Sequence, residues 1–404
     1  MLSLSMVVRN EAERIEACLA SVAGFVDEMV VLDTGSSDAT VAIAERCGAV
    51  VHQLPWPGDF APARNHALRL VRGDWVLVLD ADELLTAEAQ EPLRQLMRAP
   101  DLLLINLLRR ELGARQSPYS NVSRLFRRHP AIQWSRPYHS MVDDSVAALL
   151  RREPHWRLAD CPVVALLHDG YRPELLAASD KAQRLRQAME AELARQPGDP
   201  YACAKLGGLE LSEGHPDRAI ALLELGLRHC QATDSGNGSN LAPERYELLL
   251  HLAMAVAERD PIRAMGLYRQ AIDLPLDQRL SVAARLNLAA LLLHQGQLDE
   301  AAALTATVTA AAPELAVGWF NRGLIARQRG ELPEAIDAYG KALAIEPEHA
   351  EAHQNRAVAL LLSGDIAGAR SGFSQAIALL LQQGRGTAAE ALRQQAGRLV
   401  KLDP

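Results

Sequence analysis

Asp74-Trp-Val-Leu-Val-Leu-Asp80-Ala-Asp82-Glu83 is the stretch from which the fold of this chain is read. Its apolar run WVLVL has strand length and no polar alternation, the pattern of a strand buried on both faces of a mostly parallel sheet. The run then stops abruptly in acid. Carboxylates just past the C-terminal end of a central strand lie where open α/β sheets bind their ligands. Spaced i, i+2, Asp80 and Asp82 reach different parts of one bound group, and their hard oxygens suit Mg²⁺ or Mn²⁺. Acids here also favour a following helix dipole, and Thr86 is placed to cap a helix over 87–97. Only the surroundings separate a ligand site from a plain helix start.

Upstream, residues 2–8, 27–33 and 48–54 read as further short apolar strands, separated by amphipathic helical stretches at 11–23, 38–47 and 62–71. Strand alternating with helix predicts a parallel, doubly wound sheet. The first strand delivers Arg9-Asn10-Glu11 at its end, and the second delivers Asp33-Thr34-Gly35-Ser36-Ser37-Asp38. With the paired acids, three polar tips converge on one edge of one sheet. Gly35 permits a turn, Ser36, Ser37 or Asp38 is available to cap the next helix, and Asp33 is aligned to accept from a ribose hydroxyl or a base N–H. Pro62 suits the first turn of a helix, which puts Arg64 and Asn65 beside free backbone N–H groups. There the Arg64 guanidinium can fork onto phosphate or pair with Asp33. Trp56 and Phe60 read as core or pocket wall.

At 404 residues, with 49% hydrophobic and 23% charged residues, the chain exceeds one ordinary core and predicts two domains. A formal net charge of −8 argues against nucleic acid or an anionic membrane as the main partner. A local anion site remains available where Arg109, Arg110, Arg124, Arg127 and Arg128 cluster. The five cysteines are odd in number, scattered, and form no C-x-x-C pair, which suits a reducing compartment. No apolar run approaches the ~20 residues of a membrane span, and Arg9, Asn10 and Glu11 end the N-terminal run too early for a signal peptide. A cytoplasmic protein is expected.

Four ordered stretches carry a resemblance: V-R-N-E-A at 8–12, V-L-D-T-G-S-S-D-A-T at 31–40, D-F-A-P-A-R-N at 59–65 and G-D-W-V-L-V-L-D-A-D-E at 73–83. Together they resemble the family 2 glycosyltransferases of the GT-A (Rossmann-like) fold, over roughly the first 170 residues. The resemblance implies transfer of a sugar from a nucleotide-sugar donor, usually UDP-linked, with inversion at the anomeric carbon. It implies that Val8, Asn10, Glu11, Asp33, Arg64, Asp80 and Ala81 bind the nucleotide-sugar, and that Asp80 and Asp82 meet the metal. Two positions depart from the pattern. Thr34 stands where many relatives have a second acid. Ser140 follows His139 where relatives often read H-E, so the base does not transfer by position; Asp143, Asp144 and Glu83 are the candidates. Val163-Val-Ala-Leu-Leu-His168-Asp169-Gly170-Tyr171 looks like the H-x-G-Y element that closes the catalytic domain. A histidine there either completes the metal site or serves structure.

From Pro173 onward β-branched runs vanish, and a long helical stretch over 174–195 is stopped by Pro197-Gly198-Asp199-Pro200. Arg285-x-Asn287-Leu288-Ala289, with Gly296, Ala301 and Pro313, recurs as Trp319-x-Asn321-Arg322-Gly323 with Gly330, Ala335 and Pro347. It recurs again as His353-x-Asn355-Arg356-Ala357 with Gly364 and Ala369, a period of 34 residues. That is the period and small-residue pattern of tetratricopeptide repeats. Two looser copies contain Leu206-Gly207, Gly214 and Ala219, then Leu252-Ala253, Ala264 and Tyr268, with a flexible insertion expected at 233–240. The domains expected are therefore a GT-A-like unit at 1–172, a connecting helix at 173–198, about five repeats at 199–383 forming an all-α solenoid, and a capping helix at 384–404.

Helical repeats present concave surfaces for peptides. The reading is a metal-dependent inverting glycosyltransferase, with Mn²⁺ or Mg²⁺, whose array recruits a peptide or protein acceptor. The alternatives are a repeat scaffold carrying a degenerate sugar-nucleotide domain, and an enzyme acting on a saccharide acceptor in cell-envelope polysaccharide synthesis.

Overall fold

In a computed structural model of the chain, the described residues are 1–114, 118–136, 140–169, 181–234 and 242–401. The chain divides into two compact units, Met1–Ala255 and Val256–Pro404. The division falls inside the second of the loose repeats; the domain boundary expected at 172/173 lies outside the described residues. Both looser repeats are alike in carrying small residues at helix crossings, so sequence pattern alone does not mark where compactness breaks.

The first unit is built on a sheet of eight strands in the order β3-β2-β1-β4-β7-β6-β8-β5. Four apolar runs form its parallel half: β1 (Leu2–Val8), β2 (Glu28–Asp33), β3 (Val50–Gln53) and β4 (Trp75–Val78). Here β1 lies between β2 and β4, and β3 flanks β2. The WVLVL run is buried on both faces as its lack of alternation predicts. Leu77 and Leu79 pack into one apolar cluster with Leu4, Met6 and Leu19, while Val76 and Val78 pack into another with Phe126 and Trp134.

The other half corrects the expectation of a mostly parallel sheet. β6 (Leu102–Glu111) and β7 (Tyr119–Arg127) pair antiparallel, and β7 runs antiparallel to β4. The connection between β6 and β7 is too short for the crossover a parallel pair requires. β8 (Arg157–His168) returns parallel to β6. A three-residue strand, β5 (Glu83–Leu85), then pairs antiparallel with the end of β8, setting Glu83 opposite His168. Residues read as a loop acid thus become part of the sheet.

Helices α1 (Ile15–Val22), α2 (Thr40–Arg46), α3 (Phe60–Leu70), α4 (Ala87–Met97) and α5 (Asp143–Arg152) cover the sheet. Two expectations about helix starts are corrected and one is met. α3 begins two residues earlier than predicted because Asp59 accepts from the Ala61 N–H, so Arg64 sits in the second turn. α4 has the expected extent, but the Thr86 hydroxyl donates to the Val164 carbonyl instead of capping it. At α2 one of the offered caps is used: Asp38 Oδ1 accepts from the Thr40 N–H at the helix start, while Asp38 Oδ2 accepts from the Ala12 N–H and Ser36 binds the tip of β1.

The expected connecting helix is described as α6 (Lys181–Arg195), and the helical part of the first unit continues with α7 (Pro200–Ser212), α8 (Pro216–Asp234) and α9 (Ala242–Val256). The expected insertion at 233–240 lies mostly outside the described residues. The second unit contains α10 (Pro261–Ile272), α11 (Val282–His294), α12 (Leu298–Ala311), α13 (Ala316–Gln328), α14 (Leu332–Ile345), α15 (Ala350–Leu362), α16 (Ile366–Gln382) and α17 (Gly386–Gly397). Ala301, Ala335 and Ala369, the repeated small residues, are fully buried. At Gly323 a Cβ would lie 2.6 Å from the Tyr339 ring on α14, and at Gly207 one would lie 2.5 Å from Leu223 on α8. Small residues therefore stand where paired helices touch, as the period implied.

Candidate active site

The tips of β1 and β2 are stitched together. Asn10 takes the left-handed conformation (φ 56°), one that asparagine tolerates better than most residues. In that pose its N–H donates to Ser36 Oγ and its Oδ1 accepts from the Ser37 N–H, at 2.9 and 2.8 Å. The Glu11 N–H donates to Thr40 Oγ1, and the Val8 carbonyl accepts from both the N–H and the hydroxyl of Thr34. Thr34 is buried, so the residue that replaces an acid locks one strand to the next. Asp33 is buried too and accepts from the Gly35 and Ser36 N–H groups, holding its own turn. Arg64 does not pair with it.

Arg64 instead meets Asp80. Arg64 Nη2 and Arg124 Nη2 each lie 2.7 Å from one oxygen of Asp80, and Arg64 Nη1 donates to the Ser140 carbonyl and hydroxyl. Trp134 lies under the Arg64 guanidinium at 4.6 Å. Burial alone would raise the Asp80 carboxyl, but Arg124 and Arg64 outweigh it and hold it well below the usual carboxylate range. Each Asp80 oxygen thus carries one arginine contact. Buried Arg124 Nη1 has no partner, leaving one spare donor in the cluster. Ala81 is buried behind the turn.

The register of β5 and β6 against β8 sets a second group. Glu83 and Glu111 both lie opposite His168 in the ladders, and the Asp82 carbonyl accepts from the Asp169 N–H. His168 Nε2 is 3.4 Å from Asp82 Oδ2, while Nδ1 is 2.5 Å from Glu111 Oε2. Desolvation would lower the imidazole, yet its bonds to Asp82 and Glu111 push it up to about 9. Glu111 is in turn held by Ser120 and Arg109. Asp82 also has Arg14 at 3.6 Å, and Arg14 lies 3.8 Å from Glu11. Burial, the largest influence, raises the Glu11 carboxyl, with Arg14 opposing it.

The three candidate bases part ways. Glu83 is fully buried, 2.6 Å from Arg109, and accepts from the Asp80 N–H, so no acceptor reaches it. Asp144 is engaged by Arg136 and Ser135; burial raises its carboxyl but Arg136 lowers it further. Asp143 starts α5, is exposed, and accepts a 2.8 Å bond from Ser123 Oγ. Desolvation by its neighbours raises its carboxyl. His139, Gly170 and Tyr171 lie outside the described residues.

Among the described residues, the one trio of ligand-type atoms within 4.8 Å is Glu210, Glu213 and His215, away from the sheet; Asp80, Asp82 and His168 do not converge as three.

Residues 3–159 match Glycosyl transferase family 2, and residues 254–316 and 323–364 match tetratricopeptide repeats. A TPR repeat-containing protein of Synechococcus elongatus is 43% identical over 312 residues, covering 77% of this chain and 75% of that protein. The chain carries a Glycosyl transferase family 2 domain at its N-terminus, followed by tetratricopeptide repeats. An uncharacterised glycosyltransferase of Rickettsia bellii is 32% identical over 36% of the chain and 52% of its own length. The SPbeta prophage-derived glycosyltransferase SunS of Bacillus subtilis is 26% identical over 49% of the chain and 46% of its own length. The chain thus spans about half of each of these two relatives. Among solved structures, YrrB, described as a TPR protein with an unusual peptide-binding site, aligns over 50% of this chain and 98% of its own (TM-score 0.40, 15% identity). Among the described residues, no helix is long and apolar enough to cross a membrane.

Four residues that sequence reasoning did not place in this cluster pair with its acids or its histidine: Arg14, Arg109, Glu111 and Arg124. Glu111 had a signal, since it ends an apolar run in acid just as Asp33 and Asp80 do. Arg109 and Arg124 belonged to the arginine cluster read as an anion site. Their neighbour Arg127 donates to the Ala99 and Leu102 carbonyls, and Arg128 donates to the Gly73 carbonyl, away from the acids.

Proposed function

We propose that this glycosyltransferase moves a sugar from a UDP-linked donor to a peptide or protein acceptor, with inversion and with the help of a divalent cation. The observation that carries the reading is the 3.4 Å approach of His168 Nε2 to Asp82, with Glu111 behind the ring. A carboxylate oxygen and an imidazole nitrogen are a donor set that Mn²⁺ accepts, and a histidine backed by a carboxylate is a common support for a ligand. Asp82 and His168 would hold the ion; when bound, it offsets the negative charge of the diphosphate.

The remaining work falls to the chain itself. Arg124, with its spare buried N–H, and Arg64 supply fixed positive charge where charge builds on the departing diphosphate. Asp80, neutralised by both, keeps that pair in place. Asp33, Val8, Asn10 and Glu11 frame the nucleoside end through the stitched tips of β1 and β2. Asp143 is the base we assign: a carboxylate of raised basicity, open to solvent, able to take the acceptor proton as the hydroxyl or thiol attacks in line. The peptide class of the acceptor rests on the repeats, whose surfaces suit polypeptide, and a cytoplasmic location on the scattered cysteines.

UDP release from UDP-sugars, with Mn²⁺ and with chelator, tests the reading. Asp82→Ala is expected to lose turnover by about 10²–10³-fold, the scale of removing one transition-state stabiliser. Undiminished release from that variant, or release indifferent to chelator, would contradict the metal assignment.

A further inference from the structure

The helical part of the first unit brings one face close to Asp143. Tyr201 and Lys205 lie one turn apart on α7, and Glu244, Glu247 and His251 lie at i, i+3 and i+7 on α9, so each set shares a helix face. The two faces approach closely: a Cβ on Gly208 of α7 would stand 2.8 Å from the His251 ring. Arg136, itself in a left-handed conformation (φ 69°), grips Asp144 beside Asp143 and, through two bonds, Asp199 at the start of α7. Its guanidinium also lies 5.0 Å from the Tyr201 ring.

Two acceptor atoms on this face have nothing to accept. Glu244 Oε2 and His251 Nδ1 are enclosed and without hydrogen-bond partners, although both residues keep part of their surface open. His251 bonds the Ala204 backbone through its other nitrogen, so Nδ1 offers a bare lone pair. Leaving buried acceptors unsatisfied is unfavourable, and a ligand bringing donors would relieve it. The charge of the face says which donors. Lys205 pairs with Glu247, and Arg136 is shared between two acids, Asp144 and Asp199; among the described residues Glu244 and Asp143 form no ion pair, with Arg136 the cation acting on both. The surplus is negative.

We propose that the α7–α9 face is an acceptor subsite that takes a lysine or arginine side chain of a polypeptide, next to the residue that receives the sugar. This rests on the glycosyltransferase reading above and adds a sequence preference to it: a basic residue near the modified one. Ionic state supports it. Desolvation, the leading influence, together with Asp143 and Glu247, pushes Glu244 up to about 7 against the opposing charge of Arg136, with Tyr201 and Lys205 on the facing helix. Glu244 therefore carries a proton below that pH and a charge above it. A cation binds better as pH rises through 7.

The test uses the full chain and two labelled decapeptides containing Ser, Thr and Cys, one interspersed with Lys and one with Glu, read by fluorescence anisotropy with UDP binding measured in parallel. The Lys peptide is expected to bind more tightly than the Glu peptide, and more tightly at pH 8 than at pH 6. Glu244→Gln should weaken it roughly ten- to a hundredfold and flatten the pH dependence, the scale of one charge-assisted hydrogen bond. Lys205→Gln, which removes a positive charge from the face, should strengthen it, an outcome no misfolded variant produces. Equal binding of the two peptides, a Glu244→Gln variant indistinguishable from the parent, or displacement of the Lys peptide by maltohexaose would overturn the subsite. If UDP binding persists in those cases, only the subsite fails; loss of UDP binding in the parent chain would instead strike the underlying activity.

Discussion

At His168 one imidazole stands between two carboxylates, and the asymmetry between them divides their work. Glu111 is buried and braced by Arg109 and Ser120, whereas Asp82 is partly exposed at the sheet edge; on the proposed reading Glu111 would orient the ring and Asp82 would meet the ligand. Removing the brace should therefore harm binding indirectly. Glu111→Gln is expected to weaken Mn²⁺-dependent UDP binding by about 10–100-fold, the usual cost of losing a ligand's supporting partner. Calorimetric titration checks it, and unchanged affinity would show that the ring needs no such support. Asp82 and His168 were legible because each follows an apolar run at its polar end. Glu83 was read by the same signal and misplaced, because its fate depends on β5 pairing with β8, a contact made between residues far apart in the chain.

Among elements, the parallel half of the sheet was readable because each strand is a short apolar run bounded by a helix signal. The second half was not. Strands β6 to β8 alternate sides, turn sharply and bulge, and nothing local records which neighbour each will pair with. Helix starts were also only partly readable, since Asp59, Ser36 and Thr86 each had several backbone partners in reach and the tertiary contact decided among them. The repeats were clearer, because steric need recurs at a fixed interval. Gly323 shows how strict that need is: Gly323→Val sets its Cβ against the Tyr339 ring, and overpacking of this kind typically costs about 1–3 kcal/mol. Thermal or denaturant unfolding should register that loss. A variant as stable as the parent would mean that the α13–α14 crossing is looser than 2.6 Å implies.

For the whole molecule, composition and period separated a sugar-nucleotide domain from a helical array, while the compact division at Ala255 could not be seen in a repeat pattern that runs past it. The account of activity depends on one local proposal in the first unit, that the acid ending the Asp80-Ala-Asp82 turn and the histidine ending β8 would serve the same ion. Anomalous scattering from a crystal soaked with Mn²⁺ and UDP measures this directly. The account predicts one manganese peak bonded to both Asp82 and His168 Nε2, with Asp80 still held by Arg64 and Arg124. A peak ligated by Asp80 in place of His168, or UDP bound with no manganese at this edge of the sheet, would contradict it.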